Sequence, residues 1–459
     1  MRGFEGGVAA LVFSEVDRDS MRGIEAVLVV LGEVERGAFA AEALRRLWPE
    51  ISSNDRKLTA TLVYSVLRRL GLWRHILSRY CRRPVASLEP GTASVLLTGI
   101  AGVLELEHFK PGVLVNALVQ LVKERSSRGT NSKEPALVNA VLHSVMEEAP
   151  AYIERLRSSN VMRDLALVSG VPGWIAAEWN RDWGMKDARR LLHLTTAHTY
   201  MTVRLSSSVN RAGWMEAYGV SSPSNISQSA VLLESNPYPP DLPGYADGTA
   251  TPQGESSIWA VECLLSHWHG GGLLDMCMGR GVKAGHILTS CADAEIEGWD
   301  LSRPRLKAAE TEFRRLGVSG RVRPLRGDAV TMIPEISPAA ILLDVPCSGS
   351  GTWGRRPEGK WRMTPEKLKA ASLLQERLFA RAADLLLPGG VLMYSTCSIF
   401  REENEKVVGS VMSARTDLVE LPVRPRSPAQ RKGRPYGALM FPESPWLDGF
   451  YIAIFKKKR

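Results

Sequence analysis

From residue 256 onward, short apolar runs alternate with helical segments, and few folds accept such a pattern. LLDMC (273–277), AEIEGWD (294–300), VRPLRGD (322–328), AAILLDVP (339–346) and GGVLMYSTCS (389–398) read as buried strands. Helical segments such as 303–316 and 364–387 separate several of them. The alternation predicts an α/β doubly wound parallel sheet, whose ligands sit at the carboxyl ends of the strands.

The front of the chain has a different period. Between Met21 and Glu148, Ile24, Val27, Leu28 and Leu31 recur at helical spacing, as do Leu44, Leu47 and Ile51. The segment DRKLTATLVYSVLRRLGLWRHIL, from Asp55, places Leu58, Leu62, Val66, Leu67 and Leu70 on one face. Pro90, Pro111 and the polar stretch 126–134 separate the later helices, which predicts an all-α domain of the bundle type. After Pro172 a helix is expected over PGWIAAEWNRDWG, another from Lys186, and a strand over MTVRLSS, while 219–250 shows no clear pattern. The expected organisation is an N-terminal extension (1–20), an all-helical domain (21–150), a small α/β linking module (165–245) and a final α/β domain (246–459).

The 459 residues carry 58 basic against 49 acidic groups, a net +9 that suits a polyanionic partner. The six cysteines form no CxxC pair and are too few for a disulfide framework, so single reactive thiolates in a reducing compartment are expected. The opening MRGFEGGVAALVF is too weak for a secretory signal, and no run approaches the ~20 apolar residues of a membrane helix. A cytoplasmic protein is the expectation, with no membrane partner and no metal.

LLDMCMGRGVKAGHI is an apolar strand, a glycine-bearing turn and the start of a helix, an arrangement that lets a ligand approach backbone amides. Asp300 closes the second strand about 20 residues beyond Gly281, where an acid typically accepts from a ribose diol. Asp328 follows the third strand, where an adenine edge is expected. Either acid alone reads as a turn or cap residue. Together they imply a nucleotide-like cofactor without separating S-adenosyl-L-methionine from NAD.

The fourth strand ends in Asp344-Val345-Pro346-Cys347-Ser348, and the next in Thr396-Cys397-Ser398. Neighbouring carboxyl ends converge in a parallel sheet, so both thiols and Asp344 should meet near the cofactor. Buried cysteine is common in cores, but the polar neighbours Ser348, Thr396 and Ser398 argue against a dry environment. Two thiols and an acid suit methylation of a pyrimidine carbon. A thiolate adding to carbon 6 of cytosine makes carbon 5 nucleophilic, and an acid near the ring nitrogen and amine stabilises the developing charge.

The motifs DMCMGRGVK, EGWDLSRPRL, RGDA, DVPCSGSGTW with RRPEGKW, YSTCS with EEN, and the closing PWLDGFYIAIFKK together resemble the Nop2/Sun RNA 5-methylcytosine methyltransferases. The resemblance covers roughly 200–459. DRKLTATLVYSVLR and PALVNAVL, within 21–148, resemble the RNA-binding domain of the antitermination factor NusB. The combination resembles the branch of the family that methylates small-subunit (16S) ribosomal RNA. It implies a Rossmann-like class I S-adenosyl-L-methionine methyltransferase domain behind a NusB-like domain. It also implies that Cys397 attacks and that Cys347 helps release the product. Cys277, Met278, Gly279, Arg280, Gly281, Val282 and Lys283 match the cofactor loop, with Asp300 at the ribose, Asp328 near adenine and Asp344 at the substrate base.

One departure stands out. The family's loop is usually Cys-Ala-Ala-Pro-Gly-Gly-Lys, and here Arg280 replaces the proline and Val282 a glycine. A β-branched residue does not readily take positive φ, so a locally different turn is expected. Three other readings stay open: a non-catalytic RNA-binding assembly factor with a degenerate cofactor loop, a transfer-RNA 5-methylcytosine enzyme, and an enzyme acting on nitrogen.

Arg355 and Arg356, just after PCSGSG, are candidate RNA contacts. So are Arg424, Arg426, Arg431, Lys432 and Arg434 within 421–438. Lys456–Arg459 reads as a solubilising tail. A target cytosine must leave its stack to meet a thiolate, which favours a single-stranded or loop cytidine in RNA. A monomer is expected.

Overall fold

The computed structural model describes residues 18–88, 90–106, 110–126, 133–432 and 435–459. Most of the expected N-terminal extension, most of the 126–134 connector and Arg434 lie outside them. The chain divides into two compact units, residues 1–196 with 356–362, and residues 197–355 with 363–459.

The first unit is helical: α1 (Arg18–Glu35), α2 (Ala40–Leu47), α3 (Ser53–Arg68), α4 (Leu70–Tyr80), α5 (Pro90–Glu105), α6 (Pro111–Ser126), α7 (Glu134–Arg157), α8 (Met162–Val168) and α9 (Gly173–Leu194). Val27, Leu31, Leu62, Val66, Leu118 and Leu142 meet in one core. The Ser52 hydroxyl caps α3 by accepting from the Asp55 amide at 3.2 Å. The apolar stripe beginning at Asp55 is not one helix; it breaks at Arg69 (φ −128°, ψ 31°). Two backbones nearly touch there, since a Cβ at Gly170 would fall 2.5 Å from the Arg69 Cα. The linking module expected over 165–245 divides, because α8 packs on α4 and α7 and α9 packs on α8.

The segment 356–362 is sequence from the α/β half that packs among these helices. The Ala40 amide donates to the Glu358 carboxylate at 3.0 Å, and the Arg362 guanidinium donates to the Val34 and Ala38 carbonyls. The Trp361 ring lies where a Cβ at Gly71 would be, 2.2 Å from it. Lys360 is fully buried, and its ammonium donates to the carbonyls of Arg68 (2.6 Å), Ser169 (3.3 Å) and Thr195 (3.2 Å). These carbonyls stand at the carboxyl ends of α3, α8 and α9, where helix dipoles favour a cation. Burial, with Arg69 and Arg68 nearby, pulls the Lys360 pKa down, while the carbonyl acceptors hold the proton.

The second unit begins with a small antiparallel sheet built from β1 (Thr202–Leu205), β2 (Ser221–Pro223), β3 (Ala230–Leu233) and β4 (Ala250–Pro252), with α10 (Arg211–Tyr218) between β1 and β2. Val203, Leu205, Val231 and Leu233 form its core. There follow α11 (Glu255–Leu265), β5 (Gly271–Asp275), α12 (Val282–Ser290), β6 (Ala294–Asp300), α13 (Arg303–Arg315), β7 (Val322–Arg326) and β8 (Ala340–Asp344). α14 (Glu358–Arg362) lies in the helical unit, and the rest is α15 (Pro365–Leu385), β9 (Val391–Thr396), α16 (Glu405–Ser413), β10 (Leu418–Leu421), β11 (Gln430–Lys432), β12 (Ala438–Met440) and β13 (Phe450–Lys457).

The large sheet runs β11-β12-β13-β9-β8-β5-β6-β7, with β10 also paired to β13. β9, β8, β5, β6 and β7 are parallel, as the alternation predicts. The sheet is mixed at one edge, where β13 returns antiparallel to β9 and carries β10 and β12 antiparallel beyond it. Such an edge needs no helical crossover. Lys456 and Lys457 therefore belong to a strand rather than a tail, and Lys457 donates to the Ala383 (2.8 Å) and Leu386 (2.9 Å) carbonyls at the end of α15. Strand order reverses between β5 and β8, the kind of position at which open α/β sheets take their ligands. No helix among the described residues is long and apolar enough to cross a membrane.

Replacing Lys360 with Met should leave the three carbonyls without a donor. The helical unit should lose on the order of 3 kcal/mol, read as a lower urea midpoint for the full chain.

Candidate active site

The ladder between β8 and β9 puts Asp344 opposite Ser395, and both strands stop within a residue of that pair. The Ser395 hydroxyl donates to Asp344 Oδ1 at 2.9 Å, and Lys283 Nζ donates to Asp344 Oδ2 at 2.5 Å. Just beyond the strands, the Cys347 and Cys397 sulfurs lie 3.5 Å apart. The structure thus brings together both thiols, Asp344 and Lys283, the closing residue of the 277–283 loop.

Ser348, Thr396 and Ser398, whose polarity argues against a dry core around the thiols, are themselves buried. The hydroxyls of Ser348, Ser350 and Ser398 bond one another at 3.1–3.2 Å, and the Ile399 and Phe400 amides donate into them. Gly349 (φ 67°) makes the turn after Cys347. Gly351 passes against Gly449, where a Cβ would fall 2.1 Å from the Gly449 carbonyl oxygen.

The 277–283 loop accommodates Val282 without strain. Its left-handed torsions fall on Gly279 (φ 59°) and Gly281 (φ 73°), while Val282 opens α12, and no non-glycine residue among those described has positive φ. A Cβ at Gly281 would meet the Phe313 ring at 2.4 Å, so glycine is required there for space as well as torsion. Asp300 Oδ2 accepts from the Gly279 amide at 3.0 Å, which ties the end of β6 to the loop. Met278 contributes backbone rather than a lining side chain, since its sulfur packs on Gly298 in the core. Asp328 is exposed and caps its own turn, accepting from the Val330 amide at 3.0 Å.

The electrostatics divide the site. Burial pushes the Cys277 thiol well above its ordinary value, and the surrounding Asp275, Asp344, Asp300 and Asp328 push it further. Burial would pull the Lys283 ammonium down, but the charges of Asp344 and Cys397 and the Asp344 hydrogen bond leave it raised. Contact with the Cys397 sulfur, burial and Glu403 hold the Cys347 thiol well above its usual value.

The chain matches the family described as 16S rRNA methyltransferase RsmB/F over residues 263–456, and the NusB family over 22–147. It is 31% identical to ribosomal RNA small subunit methyltransferase B of Thermus thermophilus over 446 residues, covering 94% of this chain and 96% of that protein. The chain belongs to the RsmB/F methyltransferase family. The Salmonella typhi protein of the same description is 25% identical over 460 residues, covering 96% of this chain and 99% of that one. In fold, the chain is similar to the crystal structure of PH0851 (TM-score 0.80, 23% identity, 96% of this chain and 99% of that one). It is also similar to NSun6 from Pyrococcus horikoshii (TM-score 0.53, 18% identity, 63% of this chain and 98% of that one).

S-adenosyl-L-methionine is the family's cofactor, and this site fits it. Four carboxylates around one loop suit a ligand that carries a sulfonium and an ammonium, and the glycine turn offers amides at the start of α12.

Several residues packed around the thiol pair carry no assigned role in the sequence reading. Asp275 ends β5 with 2% exposure beside Asp344 and Lys283. Its only sequence signal was an acid closing an apolar run. Glu403 and Asn404, within the EEN motif, and Gln375 hold the cysteine loops from 8 to 55 residues away in sequence. The proposed RNA arginines fare unevenly. Arg355 is ion-paired with Asp448, and Arg356 lies over the Phe39 ring of the helical unit. In the 421–438 stretch, Arg426 pairs with Glu262 at 3.3 Å, and Arg431 lies over the Phe441 ring at 3.7 Å.

Burial and the Asp344 charge push Asp275 up to about 7 against the ordinary 3.8. A raised acid takes up a proton on folding, so its contribution to stability falls as pH rises from about 4 to about 7 and is level above that. Thermal melts should show Asp275→Asn gaining on the parent protein between pH 5 and pH 7, with no further gain above it.

Proposed function

We propose that this chain methylates carbon 5 of a cytidine in 16S ribosomal RNA, with Cys397 as the attacking thiol. The observation that carries the reading is the 3.5 Å approach of two sulfurs at the ends of adjacent parallel strands, beside the Lys283–Asp344 pair. The Cys397 thiolate adds to carbon 6 of the splayed-out cytosine, and the electron pair displaced toward carbon 5 makes that atom a nucleophile. Bound S-adenosyl-L-methionine supplies the methyl group. A base then removes the carbon 5 proton, the bond from carbon 6 to sulfur breaks, and its electron pair returns to Cys397. Cys347, 3.5 Å from Cys397, is assigned to help that release.

Asp344, fixed by Ser395 and Lys283, stabilises charge at the ring nitrogen and amine. Asp300 would hold the cofactor ribose, Asp328 its adenine, and Cys277 to Lys283 the remainder. The helical residues 21–150 are read as the RNA-binding domain, with Arg356 at their margin as a phosphate contact. The protein would work in the cytoplasm as a monomer. The relatives described as small-subunit methyltransferases support 16S ribosomal RNA over transfer RNA. The intact glycine turn supports an active enzyme over an assembly factor with a decayed loop.

Labelled S-adenosyl-L-methionine with small-subunit RNA, digested to nucleosides, should yield label in 5-methylcytidine; label on a nitrogen or a 2′-oxygen would overturn the reading. Cys397→Ala should lower activity at least about a thousandfold. Cys347→Ala should accumulate a denaturation-resistant protein–RNA adduct, and the opposite pattern would exchange the two roles.

A further inference from the structure

Two thiols 3.5 Å apart cannot both ionise without strong mutual repulsion, so a site built on them must decide which sulfur carries the charge. The answer lies in what stands behind each. Lys283 feels the charge of Cys397 as well as that of Asp344. Behind Cys347 stands Glu403, which is fully buried and lies within the EEN motif, where it carries no assigned role in the reaction.

Glu403 is bonded to the loop that carries Cys347. Its Oε1 accepts from the amide of Ser348, the next residue, at 2.7 Å, and from Gln375 Nε2 at 3.1 Å. Its Oε2 accepts from the Ser348 hydroxyl. Gln375 also donates to the Pro346 carbonyl at 2.9 Å, so both flanks of Cys347 are held through this cluster. The Tyr394 hydroxyl donates to the Glu403 carbonyl at 2.6 Å and fixes its backbone. A carboxyl approached by donors at both oxygens is best satisfied as the anion, although burial raises its pKa. The adjacent residue serves the other thiol's loop. Asn404 Oδ1 accepts from the Thr396 hydroxyl at 2.6 Å, and its Nδ2 donates to the Ser398 carbonyl at 2.9 Å, bracketing Cys397.

We propose that Glu403 is a positioning residue whose buried carboxylate keeps the shared proton of the thiol pair on Cys347, leaving Cys397 beside Lys283 as the thiolate. The inference rests on the cysteine chemistry proposed above. Three titratable groups face Cys347. They are Cys397 at the end of β9, Glu403 in the turn before α16, and the Tyr394 phenol on β9, itself pushed up by burial and by Glu403. Lys283 from α12 faces the opposite partner of the pair. The Cys347–Cys397 contact and burial raise Cys347, Glu403 adds to both, and the Gly349 amide opposes them.

The test is the pH dependence of iodoacetamide labelling at each cysteine of the full-length protein, resolved by peptide mass spectrometry, with no RNA present. In the parent chain Cys397 should label first, and Cys347 only at distinctly higher pH. Faster labelling of Cys347 than Cys397 at pH 8 overturns the proposal without any variant. In Glu403→Gln the preference for Cys397 should shrink on the order of tenfold, as one unit of thiol pKa implies, and Glu403→Asp should restore most of it. An unchanged preference in Glu403→Gln overturns the proposal. So does a pH-independent change in both thiols that Glu403→Asp fails to rescue, since that describes a collapsed loop. Parallel assay of 5-methylcytidine by the parent chain separates the two claims. Its absence would sink the cytosine reading while the labelling pattern still decides the role of Glu403.

Discussion

The register between β8 and β9 is the constraint on which the rest of this site depends. A parallel ladder fixes Asp344 opposite Ser395, and a one-residue slip would turn every side chain of one strand to the other face. With the register set, a few residues of loop are enough to bring two sulfurs to 3.5 Å. Those loops turn back sharply and bury their polar groups, which is tolerable only if each group finds a partner. Ser348, Ser350, Ser398, Gln375, Glu403 and Asn404 supply that closure, and none of their buried side-chain atoms is left without a partner. The polar network spends stability on position rather than on apolar contact.

Charge is distributed as deliberately as backbone. Four acids converge on the 277–283 loop, and Lys283 answers them from the first turn of α12. Asp344 has an oxygen on Ser395 and an oxygen on Lys283, so it is held in place before any substrate arrives. On the chemistry proposed above, preorganisation of this kind means that little rearrangement is needed when charge develops on the base.

How much of this was legible in the sequence follows from the range of the interactions. The central strands, α13 and α15 were readable because their signals are local: apolar runs, periodicity and turn residues. The convergence of Asp344, Cys347 and Cys397 was readable because parallel strands carry their ends to one side. The scaffold was not, because Glu403 and Gln375 reach Ser348 and Pro346 across long stretches of chain with no spacing rule. The docking of Lys360 among three helix ends links residues 292, 191 and 165 positions apart, which no pattern announces. The basic stretch misled for the same reason. Arg426 reads as a free cation until Glu262, 164 residues away, is placed beside it. Val282 misled differently. The family comparison located a missing glycine, but the torsion that needs glycine sits one residue earlier.

The two cysteine motifs also show why local sequence cannot assign roles within a pair. Each thiol follows a strand end and precedes a serine, and each serine joins the same hydroxyl cluster. Neither sulfur differs from the other in kind, and the distance between them is shared by both. In the proposal above, what breaks the symmetry is the charge that the fold sets behind each: an ammonium from the 277–283 loop on one side, a buried carboxylate on the other. Both are delivered by elements outside the cysteine strands, Lys283 by α12 and Glu403 by the turn into α16. On the proposal made above, the nucleophile is specified by tertiary structure, and the strands that carry the thiols specify only that they meet.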